Sequence, residues 1–246
     1  MLGHVAEVSL LGNRKENQDR VSVARSENAT LLIAIDGMGG HADGAKAAEL
    51  AVDVITKAFM AKDSPVFDPQ GFLHLAIGQA HASLVDLGTD MVLEQRPRAT
   101  CALCLIQDDA AYWAHIGDSR IYHVRNKEIF QRSRDHSHVE VLLEDGVITQ
   151  AELADHPMRN YVESCMGGNA MLPGMSISVR KPMRKNDLML VCTDGFWSPL
   201  DDGKIAALGD STDNLSPNLH ALGEMAVRAA SPHSDNTSAA AFQWQN

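Results

Sequence analysis

The chain reads as an α+β fold, a layered sandwich of sheets and helices, on three observations. Short apolar runs of strand-like composition recur along it, helical periodicity is confined to a few stretches, and those stretches separate clusters of runs instead of following every one. A strictly parallel sheet would need a crossover, usually a helix, between successive strands. Val5 to Leu10, Val21 to Arg25 and Leu31 to Ile35 form the first cluster of strands. Gly44 to Ala61 and Leu73 to Leu87 then repeat apolar residues at helical spacing, giving a helix pair. Ala99 to Ile106, Tyr112 to Ile116 and Ile121 to Val124 return to strand, followed by short helical pieces near Val139 to Leu143 and Gln150 to Leu153. Ser176 to Arg180 and Leu188 to Cys192 are strands, Leu215 to Ala230 a helix, and Ser238 to Trp244 the closing strand.

With 246 residues, 45% hydrophobic and 22% charged, the chain lies in the globular range, and no linker or repeat divides it. One domain, 1–246, is expected; a fold of this size buries roughly three quarters of its unfolded surface and needs no staple. The 32 Asp and Glu against 21 Lys and Arg give a net charge of −11, which would be repelled by nucleic acid and by anionic membranes. Neither a signal-peptide h-region nor a bilayer-length apolar stretch is visible. The four cysteines are few, and three fall in apolar runs, as in a reducing compartment. Cys101 and Cys104 spell C-x-x-C inside one such run and read as small core residues. A cytoplasmic monomer without membrane insertion is expected.

Chemistry concentrates where apolar runs end in acid. Leu31 to Ile35 meets Asp36-Gly37, Tyr112 to Ile116 meets Gly117-Asp118-Ser119, Leu188 to Cys192 meets Thr193-Asp194-Gly195, and Ser234-Asp235-Asn236-Thr237 precedes the last strand. Any one of these is an ordinary Asp-Gly type of turn. Several converging carboxylates, each costly to desolvate and lacking matched Arg or Lys, imply a divalent cation, and an all-oxygen donor set suits Mg²⁺ or Mn²⁺. Gly37, Gly39 and Ala42 also satisfy G-x-G-x-x-A, but Asp36 would face a pyrophosphate there, and Ala45 stands where a Walker loop needs lysine.

Taken in order, Gly12-Asn13-Arg14-Lys15-Glu16-Asn17-Gln18-Asp19, Asp36-Gly37-Met38-Gly39-Gly40-His41, Gly117-Asp118-Ser119-Arg120, Arg134-Asp135-His136-Ser137, Thr193-Asp194-Gly195-Phe196-Trp197 and Asp235-Asn236-Thr237 resemble the motifs of PP2C-type metal-dependent protein serine/threonine phosphatases, in the bacterial stand-alone form. The resemblance runs from about Gly12 to Thr237. It implies a four-layer α/β/β/α sandwich of two antiparallel sheets flanked by helix pairs. It also implies hydrolysis of phosphoserine and phosphothreonine in proteins by a metal-activated water at two Mn²⁺ or Mg²⁺ ions, with a third, weaker ion in bacterial members. Phosphorylated proteins would be the substrates and a cognate serine/threonine kinase the opposing enzyme.

Carried over by position, Asp36 bridges the two ions, the Gly37 carbonyl binds the second, Asp194 and Asp235 complete the first, and Asp19 reaches the second through water. Asp118 with Asp194 matches the third-ion site. Arg14 matches the arginine that grips substrate phosphate, for which a planar fork is suited. His41 is the candidate general acid, although its spacing from Gly37 also fits a structural histidine at the start of the following helix. Arg98-Ala99-Thr100 departs from the Gly-Thr-Thr frequent in relatives. Residues 136–168 correspond to the family's flap; His136, His138 and His156 there read as solvated surface, and the acids Glu144, Asp145, Glu152 and Asp155 read as a lobe favouring phosphosites with basic flanks. Two other classes stay open, a silent phosphopeptide binder and a hydrolase of small phosphorylated metabolites.

Overall fold

The computed structural model of the chain describes residues 3–38, 42–153, 156–159, 161–211 and 214–245. The strands are β1 Gly3–Leu10, β2 Asp19–Arg25, β3 Ala29–Met38, β4 Arg98–Ala99, β5 Cys101–Gln107, β6 Ala110–Ile116, β7 Arg120–Arg125, β8 Glu128–Arg132, β9 Met166–Gly167, β10 Ser176–Ile177, β11 Lys181–Pro182, β12 Leu188–Cys192 and β13 Thr237–Trp244. The helices are α1 Ala42–Met60, α2 Pro69–Leu87, α3 His138–Glu144, α4 Gln150–Leu153, α5 Asp194–Trp197, α6 Asp202–Ala206 and α7 Leu215–Ala230.

Among the described residues every strand pair is antiparallel. One sheet runs β1-β13-β12-β7-β8; the other runs β10-β6-β5-β3-β4-β9, with β2 also paired to β3 and β11 to β6. The central strands are apolar on both faces, which is why they read as unbroken runs. In β3, Leu31, Ile33 and Ile35 face α1 and α2, while Leu32 and Ala34 face the other sheet. In β12, Leu188, Leu190 and Cys192 face α7, and Met189 and Val191 face inward. Three apolar layers result, helix on sheet, sheet on sheet and sheet on helix, so the molecule is the expected α/β/β/α sandwich.

The helices supply the outer layers through single stripes. α1 presents Ala47, Ala48, Ala51, Ile55 and Phe59, and α7 presents Leu215, Leu219, Leu222 and Ala226, each set at helical spacing. Asp68 starts α2 by accepting the Gly71 N–H at 3.0 Å, with Pro69 in the first turn. Cys101 and Cys104, three apart on β5, point to opposite faces and lie in different core layers, so they form no chelating pair.

Some boundaries differ from the sequence reading for local reasons. The run Ala99 to Ile106 splits at Thr100, whose N–H donates to the Asp36 carbonyl at 2.9 Å. Of Ser176 to Arg180 only Ser176–Ile177 is strand, with a second short strand beyond it at Lys181–Pro182; between them Ser178 accepts the Trp113 N–H with its hydroxyl and donates its own N–H to the Trp113 carbonyl. β8 was not expected: its residues are exposed or half-exposed at a sheet edge, without an apolar run.

Candidate active site

Both sheets end in acid at one place. Asp19 opens β2 directly opposite Asp36 in β3, a pairing of like charges that destabilises a sheet unless a cation answers it. The Gly37 N–H donates to the Gln18 carbonyl at 3.1 Å, and Thr100 Oγ1 accepts from the Asp36 N–H at 3.3 Å. The same Thr100 hydroxyl bonds Ser119 Oγ at 2.7 Å, tying the Asp118 turn between β6 and β7 to β3. Asp194 begins α5 after β12, and Asp235 precedes β13. Thr193 occupies the α5 cap position but donates its hydroxyl to Asp19 Oδ2 at 2.7 Å, linking the β12 end to β2.

The charges confirm this convergence. Burial first, then Asp194 and Asp235, push Asp19 up to about 7 although the Thr193 hydroxyl opposes the shift. Burial, Asp194 and Asp135 push Asp118 up to about 8, and burial with Asp235 pushes Asp194 up to about 6. Asp36 is raised well above the carboxylate range by burial, then by Asp19, Asp194, Asp118 and Asp235. Arg14 answers only part of this, its Nη2 donating to Asp235 Oδ2 at 2.5 Å. Among the described residues no three His, Cys, Asp or Glu side chains stand ready arranged around a metal ion, and Asp235 is turned to Arg14. The donor set still fits hard divalent ions: carboxylates that raise one another's pKa, with Gly37 lining the same cavity as Asp36.

Close backbone approach builds the surrounding loop. Gly12 adopts φ +62°, and a Cβ there would lie 2.1 Å from the Asp235 carbonyl oxygen. A Cβ at Gly37 would lie 2.0 Å from the Gly44 carbonyl oxygen, so only glycine lets β3 pass the start of α1. Asn236 clamps the loop that carries Arg14: its Oδ1 accepts the Gln18 N–H at 2.8 Å, and its Nδ2 donates to the Leu11 and Glu16 carbonyls at 2.9 and 3.0 Å. Sequence reasoning placed the acids but missed Asn236 and Thr193 as supports, since their partners lie far away along the chain.

A cavity of about 550 Å³ opens over Arg14, Gln18, Asp36, Gly37 and Asp235. A neighbouring one of about 410 Å³ shares Arg14 and Asp235 and adds Asp194 and His233, with Arg159 entering from the 136–168 segment. His41 and Asp155 lie outside the described residues. One flap reading needs correction. His136 is not solvated surface: it stacks on buried His115 at 4.6 Å between ring centres, accepts the Gly117 N–H at 3.4 Å and bonds Ser176 Oγ at 2.9 Å, and burial pushes it down to about 4. Of the flap acids, Glu144 pairs with Arg134 at 2.7 Å and Glu152 accepts from Thr149 N–H and Oγ1 at 2.8 Å, both while remaining at the surface.

Comparison with known proteins agrees with this fold. The protein phosphatase 2C sequence profile matches residues 9–230. PhpP of Streptococcus pneumoniae, a protein phosphatase, is 30% identical over 224 residues, covering 85% of this chain and 89% of PhpP. The serine/threonine protein phosphatase PstP of Mycobacterium tuberculosis is 30% identical over 222 residues, 89% of this chain but 41% of PstP, so the chain spans about two fifths of that relative. The solved catalytic domain of a serine/threonine phosphatase PstP in complex with two manganese ions superposes with a TM-score of 0.82 at 26% identity, covering 99% of each chain. The profile spans most of the chain and PhpP matches it over most of both lengths: the chain is a member of the protein phosphatase 2C family.

Proposed function

We propose that the chain is a protein phosphatase that hydrolyses phosphoserine and phosphothreonine in proteins, in opposition to a serine/threonine kinase. Asp36, Asp194 and Asp235, the Gly37 carbonyl, and Asp19 through water would hold two divalent ions, with a third between Asp118 and Asp194. Bound there, Mn²⁺ or Mg²⁺ supplies a water of lowered pKa and positive charge against the phosphoryl oxygens. Arg14 turns its planar fork from Asp235 to the substrate phosphate, a bidentate match that holds the ester over the acids. His41 gives a proton to the leaving oxygen, and residues 136–168, carrying Arg159, form the wall that meets the substrate. The four free thiols, three of them buried, support a reducing compartment such as the cytoplasm. Among the described residues no helix is long and apolar enough to cross a membrane.

The observation that supports this function most is the mutual crowding of Asp19, Asp36, Asp118 and Asp194 beside a cavity with an arginine at its rim. It also weighs against a silent phosphopeptide binder, which would not need the acids. Purified protein should hydrolyse a phosphothreonine peptide with Mn²⁺ and lose that activity in chelator, and Asp36→Ala should lower kcat by several orders of magnitude while circular dichroism is unchanged. Full activity after exhaustive chelation would remove the metal-dependent mechanism; hydrolysis of small phosphate esters but of no phosphopeptide would move the substrate class to metabolites.

A further inference from the structure

Outside the carboxylate cluster the described residues bury a strongly charged assembly that touches the Asp118 turn. Arg120 Nε and Nη2 donate to Asp135 Oδ1 and Oδ2, both at 2.8 Å, and Nη1 donates to the Tyr122 hydroxyl at 3.3 Å. The guanidinium carbon lies 3.2 Å from the centre of the Trp197 ring. That indole donates its Nε1–H to the Asp118 carbonyl at 3.0 Å, and Trp197 is the last residue of the short helix that Asp194 begins. On the other side, the Gly117 carbonyl accepts the His136 N–H at 2.8 Å, and His136 directly follows Asp135. The turn that bears Asp118 is therefore gripped from one side by Trp197, which stacks on the guanidinium, and from the other by the residue next to Asp135, which pairs with it.

A buried Arg–Asp pair is poor value as a source of stability, because apolar residues of the same volume do as well or better. What the bidentate fork and the stacked plane provide is fixed orientation. We propose that Arg120 and Trp197 are positioning residues: together they hold the Asp118 carboxylate in place against Asp194, so that the two can share a divalent ion. This rests on the phosphatase function proposed above only for the identity of the ion; the orientation of Asp118 is a property of the fold.

Mn²⁺ titration by calorimetry tests it in the full chain without reference to turnover. The binding step lost in Asp118→Asn defines the ion that Asp118 holds. Arg120→Ala would strand a buried carboxylate and fold poorly, so Trp197→Phe carries the test: it keeps a ring over the guanidinium and removes only the N–H to the Asp118 carbonyl. Trp197→Phe is expected to weaken the Asp118-dependent step by about 10–100-fold, the usual effect of losing a partner behind a ligand, and to leave the other steps unchanged. Arg120→Lys, which keeps the charge and loses the fork, should show the same selective loss. An unaltered Asp118-dependent step in Trp197→Phe overturns the proposal, as does equal weakening of every step, and so does a wild type with no Asp118-dependent step. Phosphopeptide hydrolysis measured alongside decides the other question: a wild type that binds Mn²⁺ but cleaves no phosphate ester overturns the phosphatase function and leaves the binding result standing.

Discussion

Asp19 and Asp36 sit opposite each other in an antiparallel ladder, an arrangement that a protein without a cation keeps only at a cost. The sign of the resulting pH dependence follows from the direction of the shifts. An unfolded aspartate titrates near 3.8, whereas folding moves Asp194 to about 6, Asp19 to about 7 and Asp118 to about 8. Groups raised in this way contribute stability below the unfolded value and lose it as pH rises through the folded values. Metal-free protein should therefore melt at progressively lower temperature between pH 4 and pH 8, and Mn²⁺ should flatten the dependence. Asp118→Asn should raise the metal-free Tm at pH 8 by a few degrees, since about 1 kcal/mol of relief moves Tm by about 2–4 °C in a chain of this size. Thermal melts in chelator across that range check both; a metal-free Tm that rises with pH would contradict the electrostatics. These residues were legible in the sequence because a strand that ends in Asp stands out against an apolar run. Thr193 and Asn236 were not, because a hydroxyl or an amide before a strand looks like any turn until its distant partner is known.

At the scale of elements, the loop between β1 and β2 has no regular structure of its own and borrows its shape from the approach to β13. Asn236 satisfies the Gln18 N–H and the Leu11 and Glu16 carbonyls, and Asn13 and Ser234 add hydrogen bonds at 2.7 and 3.0 Å. Removing the amide leaves backbone groups unpaired inside protein, at about 1–3 kcal/mol. Asn236→Ala should lower Tm, and it should raise KM for phosphopeptide more than it lowers kcat, because Arg14 loses its frame while the acids of β2 and β3 keep theirs. Steady-state kinetics separates the two; a pure kcat effect would place Asn236 with the carboxylates instead. The long elements were readable from period and composition: α7 and β12 lie where their apolar spacing put them. β8 escaped because an edge strand facing solvent carries no apolar run, and α5 because four residues are too few to show a helical period. β4 and β9, two residues each, exist only through their pairing with one another and with β3.

For the whole molecule, the carboxylates belong to two different sheets, so their spacing depends on how those sheets stack. Leu32, Cys104, Ile121, Met189, Val191 and Phe242 fill the space between them. Met189→Ala in that layer and Leu219→Ala beneath α7 should each cost about 2–5 kcal/mol. Only Met189→Ala should also weaken Mn²⁺ binding, since the cavity it leaves lets one sheet shift over the other. Calorimetric titration of the two variants at matched folded fraction distinguishes them, and equal ion affinities would mean that the site is set by its loops alone. The layered architecture was readable from strands that are apolar on both faces, whereas strand order was not, because the partner of each strand is fixed only by the assembled core. That order has a consequence for biosynthesis. β13 follows every other strand of the sandwich in the chain, yet it lies in the interior of its sheet, between β1 and β12, with Gly3 opposite Trp244 and Leu10 opposite Thr237. A nascent chain from which β13 has not yet emerged lacks the strand that joins β1 to β12, and with it Asp235 and Asn236. Phosphatase activity should accordingly appear only after β13 has emerged from the exit tunnel, so that synthesis itself withholds a competent enzyme until this sheet can close.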